Sequence, residues 1–170
     1  MLFVIVGARG AGKTTLLENL KAHGVIVLKP STTRAPRFEG DAEYDFVDVW
    51  NETDYAWKIP VGNQTYGMRL TELAKAERDV CVTVFEPTNI AVFEEIRAEI
   101  AGGTATIGLA TISDIAEQHR RVQSDPKRLM DAAGLEQVAA IVAKCDIVLE
   151  GDAETIAAAA LAIIQAKSKN

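Results

Sequence analysis

Residues 7–14 read Gly7-Ala8-Arg9-Gly10-Ala11-Gly12-Lys13-Thr14 and fit the pattern GxxxxGK[ST]. Each fixed position has a physical task. Glycine lets successive backbone N–H groups turn inward and form a nest for an anion. A helix that begins as the loop ends aims the positive end of its dipole at the same point. Lysine reaches the β and γ phosphates, and the threonine hydroxyl can take a place on Mg²⁺. These residues point to binding of a nucleoside triphosphate, with Lys13 as the charge near the transferring group and Thr14 as the metal ligand. The alternative is a tight strand–helix turn with an exposed lysine. A second group follows at Ser31-Thr32-Thr33-Arg34-Ala35-Pro36-Arg37. Two guanidinium groups stand three residues apart beside three hydroxyls, and Pro36 stiffens the turn between them. Arginine forks bind phosphate through paired N–H donors. Downstream of a triphosphate loop, Arg34 and Arg37 read as a clamp on a second, phosphate-bearing substrate. Alone, they would read as a solvated loop.

The first motif needs a strand before it and a helix after it. Residues 2–6 are an unbroken, β-branched apolar run, the pattern of a buried parallel strand. Residues 13–22 carry Leu16, Leu17 and Leu20 on one helical face. A second short strand is expected over 25–28. The texture then changes between 30 and 68, where proline, charge and aromatics gather and where all three Tyr and both Trp fall. That stretch is too long for a plain loop. It reads as an inserted lobe with short strands around 44–49 and 55–61. The core pattern resumes with helix 69–77, strand 80–85, helix 89–100 and strand 106–111. Helix 114–121 follows, capped by Ser113. Helical segments 127–133 and 135–144 are expected on either side of Gly134, then strand 146–150 and helix 153–166. Alternation of strand and helix predicts an α/β fold, a central parallel sheet covered on both faces in three layers. Ligands of such sheets sit at the carboxyl ends of the strands. The expected division is a core of 1–29, 69–112 and 129–170, a lobe of 30–68 and a lid of 113–128.

Composition narrows the class. The chain has 170 residues, 48% apolar and 25% charged, the make-up of an ordinary globular protein. One domain is expected, with enough core to need no disulfide or metal staple. Cys81 and Cys145 have no CxxC or Cys/His partner nearby, which argues against a zinc site and for a reducing cytoplasm. A formal charge of −6 and a pI near 5.0 disfavour broad nucleic-acid binding. No apolar run is long enough to span a bilayer. His23 precedes a glycine at a helix end and reads as structural. His119 reads as a solvated helix residue. Trp50 and Trp57 read as packing of the inserted lobe, with Trp57 also placed to stack on a base.

Taken together, the chain resembles the guanylate kinase family of P-loop nucleoside monophosphate kinases. The likeness rests on Gly7 through Thr14, then on Thr32-Thr33-Arg34-Ala35-Pro36-Arg37 as the family's TTRxPR core. It continues in an acidic stretch ending Tyr44-Asp45-Phe46-Val47, in Gly62-Asn63-Gln64-Thr65-Tyr66-Gly67, in Lys127-Arg128-Leu129 and in Cys145-Asp146-Ile147-Val148. The resemblance implies transfer of the γ-phosphoryl group of ATP, with Mg²⁺, to a nucleoside monophosphate. It implies a P-loop NTPase sandwich with an inserted β-rich monophosphate-binding lobe and a short helical lid. Ala8, Arg9, Ala11 and Thr15 would join the glycines, Lys13 and Thr14 around ATP. Arg34, Arg37, Tyr44 and Tyr66 would hold the acceptor phosphate. Arg120, Arg121 and Arg128 would bring mobile positive charge from the lid.

The likeness breaks where the family reads guanine. Pro30 and Met68 stand at two positions where the family has serine, and Ala56 or Trp57 stands where it has glutamate. The acidic pair at the end of the central strand becomes Val84-Phe85-Glu86, so only Glu86 keeps a carboxylate for the acceptor. A site built on hydrogen bonds loses selectivity when those partners vanish. The acceptors left open are therefore (d)GMP, another (d)NMP, or a non-guanine compound such as a modified nucleotide, a phosphorylated sugar or a base in DNA. A further alternative is an inactive binding module, which the intact Gly12, Lys13 and Thr14 weigh against.

Overall fold

The computed structural model describes residues 1–41, 43–85, 94, 103–123 and 125–168. The expected helix over 89–100 lies outside the described residues, apart from Glu94. The central sheet has five strands, all parallel, in the order β2-β7-β1-β8-β9. They are β1 (Leu2–Gly7), β2 (Ile26–Val27), β7 (Cys81–Phe85), β8 (Thr104–Leu109) and β9 (Ile147–Leu149). Alternation of side chains along a strand divides β1 between two cores. Leu2, Val4 and Val6 face a cluster with Val138, Ile141 and Val142 of helix α4 (Ala132–Val142). Phe3 and Ile5 face Leu16 and Leu20 of α1 (Lys13–Ala22) and Ile156, Ala160 and Ile164 of α5 (Ala153–Ser168). This is the three-layer sandwich expected from the alternating pattern. Ala160 is fully buried, so the alanine-rich stretch of α5 serves close packing. At the far edge, the Asp146 carboxylate accepts from both the N–H and the hydroxyl of Thr106, each at 2.8 Å, and pins β9 to β8.

A second sheet is built from 31–69. Its order is β4-β3-β6-β5, with β3 (Ser31–Thr32), β4 (Asp45–Phe46), β5 (Tyr55–Val61) and β6 (Gln64–Arg69). Strands β5 and β6 form an antiparallel hairpin, and β3 lies antiparallel to β6. Trp50 stacks on Tyr55 with ring centres 3.7 Å apart. Its ring also lies against Gly67, where an added Cβ would fall 2.8 Å from it and 2.4 Å from the Trp57 carbonyl. The inner face of the hairpin joins the main core: Ile59 and Met68 belong to the same buried cluster as Val4 and Val6, and Trp57 meets Phe85 edge to face. The lobe is thus anchored on the carboxyl end of β7.

Several local expectations need correction. Strand β5 and helix α1 fall on the expected residues, whereas only Asp45–Phe46 of the expected strand 44–49 pairs. Residues 64–69 are strand, and 70–77 form a four-residue helix α2 (Leu70–Leu73) followed by a 3-10 turn, in place of one helix from 69. The hairpin partner β5, with Tyr55 opposite Arg69, holds β6 extended as far as Arg69. Helix α3 (Ile115–Arg121) is capped by Asp114 rather than Ser113, its carboxylate accepting from Glu117 N–H at 2.9 Å. Gly134 lies inside α4 and breaks nothing. The cap carboxylate of Asp131 accepts its N–H at 2.7 Å and would sit 2.9 Å from a Cβ there, so glycine makes room for the cap. Residues 127–133 are mostly a short 3-10 turn, Pro126–Arg128, and its exit.

Candidate functional site

Strand β1 delivers the chain to the phosphate loop at its carboxyl end, and α1 opens directly after it. Gly10 and Gly12 have φ of 85° and 94°, in the left-handed region that favours glycine. Gly12 is the residue before the first helical turn, and a Cβ there would meet nothing within 4 Å. Its backbone conformation, not lack of space, requires glycine. Ala8 and Ala11 are buried, while Thr14 and Thr15 are exposed on the first turn of α1. Thr111, two residues past the end of β8, donates its hydroxyl to the Ala11 carbonyl at 2.9 Å, so the segment leaving β8 braces the loop. Lys13 Nζ donates to the Gly7 and Ala8 carbonyls at 2.7 and 3.0 Å. The ammonium therefore lies folded over the loop it serves.

The clamp is positioned by the second sheet. Thr33 extends the β3–β6 pairing: its N–H donates to Thr65 carbonyl at 3.0 Å, and its hydroxyl accepts from Thr65 N–H at 2.9 Å. Arg34 follows, 8% exposed. Its guanidinium lies 5.3 Å over the Tyr44 ring and 5.1 Å over Phe46, donates to Ala35 carbonyl at 2.9 Å and to Asp41 at 3.3 Å. Arg34 Nε is buried with no hydrogen-bond partner among the described residues. Arg37 is more open and donates to Glu43 at 3.1 Å. Tyr44 and Tyr66 meet edge to face at 5.5 Å, and Tyr66 donates its hydroxyl to Gln64 Oε1 at 3.0 Å. The two tyrosines therefore pack in the lobe beside Arg34. Strand β4 is tied in by Asp45, which accepts from Ser31 hydroxyl and Arg69 Nε at 3.0 Å each.

Asp41 and Glu43 are the residues that motif reading misses, although the acidic run Glu39, Asp41, Glu43 inside the clamp loop signals them. Asp41 accepts from the N–H groups of Arg37 and Glu43 as well as from Arg34. Burial alone would raise its carboxyl, but the two backbone donors and the guanidinium outweigh burial and hold it below the ordinary aspartate range. Glu43 reaches the other way. Thr14 donates its hydroxyl to Glu43 Oε1 at 3.5 Å, so the phosphate loop and the clamp meet through one carboxylate.

The lid segment is organised by Gln118, a fully buried polar side chain. Its Nε2 donates to the Arg9 carbonyl at 3.3 Å and to the Arg128 carbonyl at 2.9 Å, and its Oε1 accepts from Met130 N–H. Arg9 also donates to the Lys127 carbonyl at 3.3 Å. The phosphate loop and the Arg128 turn are therefore held together by backbone carbonyls on one amide. Gln118 could be found from the sequence as a polar residue at a core-facing position, spaced with Ile115 and Val122. Arg120 and Arg121 instead turn to Glu117 on their own helix, Arg121 at 2.5 Å. Glu86 lies outside the described residues. Burial pushes the Cys81 thiol up, which suits a packed core residue and not a nucleophile. His23 donates its Nδ1–H to the Asn19 carbonyl, 2.8 Å away, as a helix-end residue.

Among the described residues no group of three or more His, Cys, Asp or Glu side chains could hold a metal ion. Among the described residues, oxygen donors near the phosphate loop include the exposed Thr14 hydroxyl and, beside it, Glu43. That set fits Mg²⁺, which favours oxygen, keeps several waters and is commonly held by one or two protein ligands plus substrate phosphate. No helix among the described residues is long and apolar enough to cross a membrane.

No family model matches the chain, and no curated protein matches it. Solved structures do. A guanylate kinase from Anaplasma phagocytophilum superposes with a TM-score of 0.73 at 17% identity, over 100% of this chain and 87% of the other. A sugar kinase from Janibacter sp. HTCC2649 matches at 0.54 and 16% identity, over 96% and 94% of the two chains. A gluconokinase from Sinorhizobium meliloti 1021 matches at 0.51 and 14% identity, over 99% and 93%. The fold of this chain is therefore that of a guanylate kinase-like P-loop kinase.

Proposed function

We propose that the protein transfers the γ-phosphoryl group of ATP to a phosphate-bearing acceptor, nominally a nucleoside monophosphate such as (d)GMP or another (d)NMP, giving ADP and the diphosphate. The observation that carries this reading is the contact between Thr14 and Glu43, which sets the Arg34/Arg37 clamp beside the phosphate loop. The loop amides and Lys13 hold the donor phosphates. Arg34 and Arg37 hold the acceptor phosphate, with Tyr44 and Tyr66 shaping the wall beside Arg34. An acceptor oxygen bonds to the γ phosphorus as the β–γ bridging bond breaks. That oxygen is already an anion, so neither histidine is needed as a base, and positioning and charge neutralisation carry the rate. Mg²⁺, when bound, supplies charge neutralisation at the β and γ phosphates, and Thr14 would be its protein ligand. Arg128, with Arg120 and Arg121 once released from Glu117, brings positive charge to the same place. Glu86 is assigned to the acceptor, and the cytoplasm is the setting this chemistry suits.

A second reading is a related kinase whose acceptor carries no guanine. Two observations favour it: Pro30 is buried and Met68 is fully buried against the Trp57–Phe85 wall. Neither offers a donor to a base edge. The test of both is coupled ADP release from ATP·Mg²⁺ against ribo- and deoxynucleoside monophosphates and phosphorylated sugars, with Lys13→Ala alongside. Lys13-dependent release with (d)GMP supports the first reading. Release only with another acceptor selects the second. ATP binding without release from any acceptor would point to a binding module instead.

A further inference from the structure

We infer that Glu43 is an internal anion seated on the acceptor clamp, and that an incoming phosphate must take Arg37 from it. The inference rests on the clamp assignment made above. Two guanidinium groups face two carboxylates here, so the clamp is electrically balanced before any ligand arrives. The two carboxylates are not equivalent. Asp41 has a side chain only 3% exposed and is fastened by Arg34, by Arg37 N–H and by Glu43 N–H. It builds the loop and stays. Glu43 is 27% exposed, and its side-chain partners are other side chains at its rim: Arg37 at 3.1 Å, Arg34 at 4.0 Å and the Thr14 hydroxyl at 3.5 Å. It occupies the gap between donor loop and clamp, where a bridging phosphate oxygen would compete for the same donors.

Arg34 gives an independent sign that the clamp is unsaturated. Its Nε is buried and unpartnered although Nη1 and Nη2 are engaged. A planar guanidinium serves a phosphate best when neighbouring N–H groups act together. Withdrawal of Glu43 leaves the clamp with one net positive charge and opens the Arg37 fork. Glu43 thereby sets how strongly a phosphate must bind to enter, and favours acceptors whose phosphate carries a full dianionic charge.

The test is calorimetric titration of orthophosphate into the full chain as wild type, Glu43→Gln, Arg37→Ala and the double variant. Glutamine keeps the shape of the side chain and removes its charge. Glu43→Gln is expected to bind phosphate about threefold tighter, the size of a partly exposed ion pair. The gain should vanish in the Arg37→Ala background. Equal or weaker binding in Glu43→Gln, no measurable binding in any of the four, or a gain that survives Arg37→Ala would overturn the inference, the last by placing the effect on the phosphate loop through Thr14. In the transfer assay the same exchange appears as a lower acceptor KM for Glu43→Gln with an unchanged donor KM. A chain that transfers to no acceptor yet shows the phosphate gain would refute the proposed reaction and uphold the role of Glu43.

Discussion

The loops around Lys13 and around Arg34 and Arg37 both carry cationic side chains, but they are built from different materials. The phosphate loop is a backbone device. Its shape comes from Gly10 and Gly12 at positive φ, from the start of α1 and from bracing by Thr111. One side chain, Lys13, completes it. The clamp is a side-chain device. Its backbone is held by Thr33, Thr65 and Asp41, and its guanidinium groups are set by aromatic rings and carboxylates. A backbone device tolerates many neighbours and recurs across sequences. A side-chain device can be retuned one residue at a time.

That contrast can be broken experimentally. The largest effect is expected at Lys13→Ala. ADP release should fall about a thousandfold, the scale of removing a preorganised charge-stabilising donor, while the variant keeps a cooperative thermal unfolding transition. A rate near wild type would show that the loop does not serve transfer. Next come the two clamp arginines, which should separate. Arg34→Ala removes the partner of a buried carboxylate and is expected to destabilise the fold by about 3 kcal/mol in denaturant unfolding. Arg37→Ala should leave stability nearly unchanged and raise acceptor KM about tenfold, as loss of a charge-assisted phosphate contact does. Equal stability of the two variants would erase the distinction between an arginine that also builds its loop and one that serves the ligand alone.

Gln118→Leu ranks after these. It strands the Arg9 and Arg128 carbonyls and Met130 N–H and should cost about 2 kcal/mol. It should also raise donor KM with little change in acceptor KM, because its ties run to the phosphate loop. The smallest effect is a pH dependence. The Asp41 carboxyl is held below its ordinary value of 3.8, so its contribution to stability is complete above that value. It is lost as pH falls through the lower, folded value. Unfolding midpoints measured from pH 6 downward should therefore drop less steeply in Asp41→Asn than in wild type, from a lower starting point. Parallel acid limbs would show that the depressed carboxyl is not Asp41.

Much of the donor side was legible because it depends on neighbours in the chain. A β-branched run, a glycine pattern and a helix with Leu16 and Leu20 on one face specify the loop within twenty residues. The lid was harder. Arg120 and Arg121 have the right charge, but Glu117 lies one helical turn away and takes both. Helix periodicity could have shown that pairing, and it also places Gln118 among core-facing residues. The strand at 64–69 was not legible, since Tyr66 and Gly67 are held extended by pairing with Thr32 and Ser31, far away in sequence. Gly134 looked like a break for the opposite reason: its smallness accommodates a cap, which composition does not reveal.

By itself the sequence determined the phosphate loop, the alternating sandwich and the presence of two arginines in a phosphate-binding spacing, because each is a short-range matter of backbone conformation, periodicity and residue type. Only the tertiary structure decided which charges meet. It buried Arg34 beneath Tyr44 and Phe46, fastened Asp41 with two backbone donors and Arg34, set Glu43 between Arg37 and Thr14, and packed Met68 with Trp57 and Phe85. Those outcomes depend on distances between segments separated along the chain. Electrostatic and packing energies act through space and fall away within a few ångströms, so only folding brings their partners into range.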